Sequence, residues 1–359
     1  MGYEENVRRV TPYVPGEQPA GKVIKLNTNE SPYPPSPKVV KALNELNWED
    51  MKKYPEQGGT SLLAAVASYY GVKPENVFAG AGSDDVLALC FLTFFNGGKK
   101  ILFPDITYSF YDVWASVYGI PYETVPLRED FTIDPEGYKG KENGGIVIAN
   151  PNAPTSIAEG LDVIEEIVSA NPDVMVIVDE AYIDFGGESA LPLLKTYDNL
   201  MVVQTMSKSR CLAGMRVGFA IGSEKAIKYL DDVKNSVNSY AMNTPSILAG
   251  KAAIEDDAYF RETTGKIIAT RERVKEELKA LGFDFPDSKA NFIFASHEGV
   301  KEKETRAEFA KRVFETLRSK GIYVRYFNKP RINESLRITV GSDEEMDILL
   351  REIKNIINP

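Results

Sequence analysis

Side chains able to do chemistry follow three short apolar runs in the middle of the chain. An amide (Asn150) follows the first run, a carboxylate and a phenol (Asp179 and Tyr182) follow the second, and an amine (Lys208) follows the third. Singly, such residues usually form turns, cap helices or face solvent. If the runs are neighbouring parallel strands, however, their carboxyl ends meet at one sheet edge, where ligands bind in α/β folds. We therefore expect these four side chains to share a site.

A phosphate site is expected at the same edge. An earlier apolar run ends in a glycine-rich turn that precedes a helical pattern, and the N–H groups at a helix start bind anions. Hydroxyls and a guanidinium add further donors. The residues expected to hold the phosphate are Gly82, Ser83 and Asp84 at the helix start, Thr205 and Ser207 beside the lysine, and Arg216 beyond it.

One cofactor, pyridoxal phosphate, needs this combination of groups. It requires a lysine amine for a Schiff base and an anionic partner for its pyridinium nitrogen. Lys208 suits the first role and can also shuttle the Cα proton, and Asp179 suits the second. Asn150 and Tyr182 can donate to the ring oxygen, and Tyr108, at the end of another predicted strand, can stack on the ring. The sequence thus predicts Lys208, Asp179 and Tyr182 as catalytic residues.

Composition excludes several other classes of protein. The formal net charge of −10 argues against a nucleic-acid binder, which needs a basic face. Two cysteines cannot build a disulfide framework, and the single histidine, His297, is expected in an exposed loop, so neither a serine-protease triad nor a histidine metal site is expected. No signal-like start and no apolar run of about 20 residues is visible, so we expect a cytoplasmic protein without a membrane partner.

The order of predicted elements indicates an α/β fold. Apolar runs alternate with helical patterns between about residues 60 and 250, which predicts a mainly parallel sheet flanked by helices. A smaller α/β domain is expected after that, with one strand over 322–326. The expected division is an N-terminal arm (1–50) joining the small domain, a large cofactor-binding domain (51–250) and a small C-terminal domain (251–359).

These motifs together resemble the fold-type I pyridoxal-phosphate aminotransferases. The resemblance lies in Gly-Ser-Asp at 82–84, Pro-x-x-x-Tyr at 104–108, Asn-Pro-Asn-x-Pro-Thr at 150–155, Asp-Glu-Ala-Tyr at 179–182, Thr-x-Ser-Lys at 205–208 and Met-Arg-Val-Gly at 215–218. The histidinol-phosphate aminotransferase subgroup is more similar still, at Leu-Asn-Thr-Asn-Glu-Ser-Pro-Tyr (26–33), Tyr-Pro (54–55), Leu-Ala-Gly-Met-Arg (212–216) and Leu-Arg-Ile-Thr-Val-Gly (336–341). The similarity runs from about residue 8 to the C-terminus.

The resemblance implies transamination between an amino acid, expected to be glutamate, and a keto partner, with histidinol phosphate the first candidate substrate. It implies that Arg337 grips a substrate carboxylate, that Arg325 meets the distal phosphate, and that Tyr33 and Asn29 contribute to the substrate pocket. It also implies a homodimer in which Tyr54 reaches the cofactor phosphate of the neighbouring subunit.

Two stretches depart from the family pattern. Ala153 and Ser156 stand where the family has Asn and Gly, which weakens the case for a left-handed turn at 156. After the lysine, Arg210 and Cys211 are bulkier than usual, and Arg210 is expected to add charge near the cofactor.

Four alternatives stay open on sequence alone. Two are enzymes on the same scaffold: an aromatic or broad-specificity aminotransferase, and a decarboxylase of a phosphorylated amino acid such as threonine phosphate. A non-catalytic phosphate-binding module is a third alternative, but such a module would not need a lysine at the end of a neighbouring strand. A dinucleotide-binding dehydrogenase is weaker, because Gly80-Ala81-Gly82 lacks the third glycine of that motif.

Overall fold

The computed structural model describes residues 2–300 and 303–358. Its strands are β1 (Ile24–Lys25), β2 (Val77–Gly80), β3 (Ile101–Pro104), β4 (Tyr122–Val125), β5 (Ile146–Ala149), β6 (Val176–Asp179), β7 (Leu200–Thr205), β8 (Gly218–Gly222), β9 (Phe283–Asp284), β10 (Phe292–His297), β11 (Ile322–Tyr323), β12 (Arg325–Tyr326) and β13 (Ser335–Thr339). Its helices are α1 (Pro37–Asn44), α2 (Thr60–Tyr70), α3 (Ser83–Phe94), α4 (Tyr111–Tyr118), α5 (Leu161–Ala170), α6 (Glu224–Val237), α7 (Thr244–Ile254), α8 (Asp257–Ala280), α9 (Arg306–Ser319) and α10 (Asp343–Ile357).

A seven-stranded sheet in the order β2-β8-β7-β6-β5-β3-β4 forms the centre of the larger part. Only β8 runs against its neighbours, so the mainly parallel sheet predicted from the apolar runs is confirmed. Since β5, β6 and β7 lie side by side, the segments that follow them emerge together at one edge. This adjacency is what the sequence-based site requires.

The central strands are apolar throughout because helices cover both faces of the sheet. Along β6, for example, Ile177 faces one hydrophobic cluster while Val176 and Val178 face another. Helices α3, α4 and α6 contribute to the first cluster and α5 to the second. Burial on both sides explains the unbroken β-branched runs, as expected for parallel strands. Among the described residues, no helix combines the length and hydrophobicity needed to span a bilayer.

A second, antiparallel sheet in the order β12-β13-β10-β9 forms the C-terminal part, with α8, α9 and α10 packed around its core. Strand β1 pairs in parallel with β11, which ties the N-terminal segment to this part. Helix α1, by contrast, packs against α7. The first fifty residues therefore contact both parts of the molecule, and the exact domain boundaries stay predictions.

Three local predictions are wrong. The single strand over 322–326 is two strands in separate sheets, because the chain passes from one sheet to the other at the buried Val324. The apolar pattern over 216–221 predicts a strand beginning at Arg216, but that strand begins only at Gly218, because Arg216 has a left-handed backbone (φ 52°) that no strand accommodates.

His297 is also not in an exposed loop. It ends β10, its ring stacks on Phe309 at 4.4 Å, and only 7% of it is exposed. Its Nδ1 accepts from the Gly299 N–H at 2.9 Å, so Nε2 carries the proton and donates to the Leu281 carbonyl at 3.1 Å. The polar neighbours Ser296 and Glu298 concealed the end of the strand.

Candidate active site

A cavity of about 1320 Å³ lies where the carboxyl ends of the central strands meet the C-terminal part. The residues predicted for the site that line it are Asn29, Ser83, Asp84, Tyr108, Asp179, Tyr182, Thr205, Ser207, Lys208, Arg216, Arg325 and Arg337. Residues from eight separate segments of the chain thus converge on one space, as expected if the carboxyl ends of neighbouring strands meet there.

Four predicted site residues do not line the cavity. Gly82 lies behind Arg216, and Tyr33 is near the Lys266 amine, which is 5.6 Å from its ring centroid. The Asn150 side chain holds the loop after β5, since it accepts from the Glu159 N–H at 2.8 Å and donates to the Glu159 carbonyl at 3.2 Å. Tyr54 is 79% exposed and stacks on Tyr240, away from the cavity of its own chain.

The carboxylate at the end of β6, Asp179, is buried. Its Oδ2 accepts from the Tyr111 hydroxyl at 2.9 Å and its Oδ1 from the Ala181 N–H at 3.2 Å. Burial raises the pKa of Asp179 to about 6, while the Tyr111 hydrogen bond opposes that rise. A cation placed beside this carboxylate would find an anion that water does not screen.

The amine of Lys208 is buried in the same cavity. Its Nζ donates to the Thr28 carbonyl at 3.2 Å and lies 5.8 Å from the centre of the Tyr182 ring. Burial lowers the pKa of Lys208 to about 8, and the nearby charge of Arg337 adds to that shift. Roughly a tenth of such amines are neutral at pH 7, so Lys208 is poised to act as a nucleophile and a base.

An anion cradle lies at the start of α3. No side chain caps this helix, so its first N–H groups are available, and Gly218 packs so closely that a Cβ there would meet the Ser83 nitrogen. Gly82 has a positive φ (93°), and a Cβ on it would meet the Arg216 guanidinium. Arg216 Nη2 lies 3.1 Å from Asp84 Oδ2. The other oxygen of the Asp84 carboxylate accepts a hydrogen bond from the Tyr108 hydroxyl.

Two hydroxyls border the same cradle. Thr205 Oγ1 lies 2.9 Å from Ser207 Oγ and accepts from the Ser207 N–H at 3.1 Å. With the helix N-terminus and Arg216 they make a donor set suited to a phosphate. Together with the opposed Asp179 and Lys208, this cradle fits pyridoxal phosphate.

Two arginines lie at the opposite wall of the cavity. Arg337 on β13 donates from Nη2 to the Asn27 carbonyl at 2.8 Å, and its buried Nε has no hydrogen-bond partner among the described residues. Arg325 on β12 donates to the Val14 carbonyl at 3.3 Å. The guanidinium carbons of Arg337 and Arg325 lie 5.5 and 5.3 Å from the ring centre of Phe327.

The N-terminal segment reaches Tyr182 through Asn29. Asn29 Nδ2 donates to the Tyr182 hydroxyl at 3.0 Å, and Asn29 Oδ1 accepts from the Thr339 hydroxyl at 3.0 Å. Burial raises the pKa of Tyr182, so the phenol stays protonated. A residue of the arm thus connects the large part to the sheet that carries Arg337.

Sequence reasoning missed Tyr111, Thr28 and Tyr13. Tyr111 touches Asp179, Thr28 accepts from Lys208, and Tyr13 lines the cavity and stacks on Phe110 at 4.2 Å. Tyr111 begins α4, and its ring meets that of Tyr108 edge-on with the ring centroids 5.8 Å apart, so its place three residues after Tyr108 could have revealed it. A backbone carbonyl such as that of Thr28 leaves no signal in side-chain types.

Two expectations about the departures are corrected. Arg210 does not line the cavity, because its side chain lies between the rings of Tyr69 and Phe260. Ser156 keeps a left-handed backbone (φ 67°) without glycine, and its N–H donates to the Asn152 carbonyl at 2.8 Å.

Comparison with known proteins agrees with this geometry. The model of the family "Aminotransferase class I and II" matches residues 21–353. The chain belongs to this aminotransferase family. It is 52% identical over 355 residues to the histidinol-phosphate aminotransferase of Brachyspira hyodysenteriae, covering 98% of each chain. It is 49% identical over 356 residues to the enzyme of that name from Clostridium acetobutylicum, covering 99% of each chain.

A solved structure of an aminotransferase supports the same assignment. The histidinol-phosphate aminotransferase from Sinorhizobium meliloti, in complex with pyridoxal-5′-phosphate, superposes with a TM-score of 0.85 and 25% identity, covering 94% of this chain and 92% of that one. The fold-type I architecture expected from the motifs is therefore confirmed.

The buried charge at Asp179 gives a pH-dependent stability prediction. Because the pKa is raised to about 6, folding takes up a proton between about pH 4 and 6, and the free energy of unfolding falls as pH rises through that window. Asp179→Asn should therefore stabilise the cofactor-free protein by roughly 1–3 kcal/mol at about pH 8 and by less at about pH 5.

Urea unfolding at the two pH values measures this difference. The exposed Asp173→Asn serves as the matched control and should change neither value. An equal gain for Asp179→Asn at both pH values would contradict the raised pKa.

Proposed function

We propose that the protein is a pyridoxal-phosphate-dependent histidinol-phosphate aminotransferase that exchanges an amino group between histidinol phosphate and 2-oxoglutarate in histidine biosynthesis. The observation that carries the proposal is the convergence of a buried amine, a buried carboxylate and two guanidiniums on one cavity. The names of relatives about half identical over their full length support the substrate. They do not favour a decarboxylase, a broad-specificity aminotransferase or a non-catalytic binding module.

The geometry supports an assignment of residues to the cofactor. When bound, pyridoxal phosphate supplies an aldehyde for a lysine and a ring that takes up the electron pair left as a Cα–H bond breaks. Lys208 is the lysine, and its lowered pKa keeps part of the amine free to accept the Cα proton. Asp179, which accepts from the Tyr111 hydroxyl, would hold the proton on the ring nitrogen. Tyr182 would donate to the ring oxygen, and Tyr108 would cover a ring face.

The phosphate of the cofactor is assigned to the cradle at α3. The N–H groups of Ser83 and Asp84, the hydroxyls of Thr205 and Ser207 and the Arg216 guanidinium surround that space. Gly82 lets Arg216 approach, and Asn150 keeps the loop after β5 in place through its two bonds to Glu159. The second hydrogen of the Asn150 amide, which Glu159 does not use, would serve the ring oxygen. Fixed donors of this kind hold the ring still while protons move.

The two arginines are assigned to the anions of the substrates. Arg337, whose Nε lacks a protein partner, would hold the carboxylate of the amino donor. Arg325 would meet the phosphate of histidinol phosphate, and Asn29 and Tyr33 would complete the substrate pocket. The cytoplasmic setting expected from composition remains part of the proposal.

A homodimer completes the site in this proposal. Tyr54 and Trp48 are 79% and 73% exposed, large apolar surfaces of the kind that subunit contacts cover. Since Tyr54 lies outside the cavity of its own chain, its hydroxyl would serve the cofactor phosphate of the neighbouring subunit.

Replacing Lys208 tests the central role. Lys208→Ala should lower transamination of histidinol phosphate by at least about 1000-fold, because it removes both nucleophile and base, yet still bind the cofactor through the phosphate cradle. Absorbance during half-reactions measures both effects. The cavity-lining Lys329→Ala is the control and should keep the visible band of the bound cofactor. Normal turnover in Lys208→Ala would refute the mechanism.

Replacing Arg325 tests the substrate assignment. Arg325→Ala should lower kcat/KM for histidinol phosphate by roughly 10- to 100-fold, the worth of charged hydrogen bonds, and that for phenylalanine much less. The exposed Arg318→Ala on α9 should change neither value. Equal losses with both substrates would count against a contact between Arg325 and the phosphate.

Mixed dimers test the shared site. Lys208→Ala and Tyr54→Ala subunits, each nearly inactive alone, should regain about a quarter of parental activity after unfolding and refolding together, because the mixed dimer of a twofold assembly has one intact site. Activity assays and sedimentation of the mixture measure this. A mixture no more active than its parts would show that Tyr54 does not act across subunits.

A further inference from the structure

The guanidinium of Arg210 is buried on the side of the lysine loop that faces away from the cavity. Its Cζ lies 3.8 Å from the ring centre of Phe260 and 4.8 Å from that of Tyr69. Its Nη1 donates to the Ala253 carbonyl at 2.9 Å, and only 7% of the residue is exposed. The charge is thus enclosed by two aromatic faces and one backbone oxygen.

This arrangement is a costly way to keep a cation. Within residues 2–300 and 303–358, Arg210 forms no salt bridge, although its charge acts from further away on the Asp184 and Asp257 carboxylates. A buried charge without a directly paired anion is destabilising unless other groups hold it. The ring faces supply part of that stabilisation through cation–π attraction. These contacts fix the position of the Arg210 side chain.

Residue 210 belongs to a closed loop that presents Lys208. The Leu212 N–H donates to the Met206 carbonyl at 3.0 Å, and the Cys211 N–H to the Lys208 carbonyl at 3.3 Å. Cys211 adopts φ 57°, a left-handed conformation that side chains disfavour. A strained loop of this kind keeps its shape only if contacts outside it hold it.

Two neighbours of Lys208 supply those contacts. Ser209 donates to the buried Asp184 carboxylate, and Arg210 reaches the junction between α7 and α8 through Ala253 and Phe260. Tyr69, which flanks the guanidinium, donates to Asp257 Oδ1 at 2.9 Å at the start of α8. The back of the lysine loop is therefore attached to three helices.

We propose that Arg210 is a positioning residue that holds the Lys208 amine in register with the cofactor. The inference rests on the proposed function, because it assigns no role to Arg210 unless Lys208 carries the cofactor. Arg210 does not touch the cavity, so its effect passes through the backbone of the loop. Displacing a reacting group by about 1 Å can lower a rate by about 100-fold.

The test compares Arg210→Met, which keeps an unbranched apolar stem but removes the charge and the hydrogen bond, with Arg210→Lys and the exposed control Arg351→Met. In the holoenzyme, Arg210→Met should lower kcat about tenfold with KM for the amino donor little changed, as misplacement predicts. It should also shift the pH midpoint of the visible absorbance band, which reports on the nitrogen of Lys208. Arg210→Lys should recover part of both effects, and Arg351→Met should resemble the parent.

Thermal unfolding of each variant separates positioning from general stability. A lower melting temperature of Arg210→Met with parental kcat and an unshifted absorbance midpoint would overturn the proposal. If Arg210→Met does not fold, Arg210→Lys and Tyr69→Leu are compared with the parent in the same way. A parental kcat and a parental absorbance midpoint in both variants would then overturn the proposal. A parent enzyme without any visible band would overturn the proposed function as well, whereas normal Arg210 variants would remove this inference alone.

Discussion

Desolvation of two opposite charges in one cavity is the constraint on which the site depends. Burial lowers the pKa of the Lys208 amine to about 8 and raises that of the Asp179 carboxylate to about 6, so both groups move toward neutrality. Neither forms an ion pair with the other; Lys208 instead donates to Thr28 and Asp179 accepts from Tyr111. Each buried group therefore lacks a directly paired counter-charge among the residues that the structure describes, and a bound cofactor would supply one. Buried ionisable groups with shifted pKa values of this kind are typical of functional sites.

The fold holds the Lys208 amine and the Asp179 carboxylate in one cavity without letting them contact each other. Three adjacent strands, β5, β6 and β7, deliver Asn150, Asp179 and the lysine loop to one edge, and their apolar faces are locked between helices. The second sheet brings Arg337 to the opposite wall through β13. Asn29 joins the two parts by its bonds to Tyr182 and Thr339, so the arm belongs to the site as much as the sheet does.

How much of this was predictable depended on how local each signal is. Strands buried on both faces can be recognised in the sequence as unbroken apolar runs, so β5 to β7 and the residues that follow them were predicted correctly. Helices α4, α6 and α7 were missed. The broad apolar surface of α7 and the polar face of α6 give no clear boundary, and α4 begins at Tyr111 directly after a turn. The split at Val324 and the burial of His297 depend on packing between distant segments, which no local pattern encodes. The burial of the Arg210 side chain between Tyr69 and Phe260 was not predicted for the same reason.

The most direct measurement of the central claim is to find which lysine holds the cofactor. The purified protein would be incubated with pyridoxal phosphate, reduced with borohydride to fix the cofactor to its lysine, digested, and mapped by mass spectrometry. We expect one labelled residue per chain, Lys208, with labelling that rises with pH toward a plateau above about 8, as the lowered pKa of its amine requires. Stoichiometric labelling of any other lysine, with Lys208 unmodified, would contradict it.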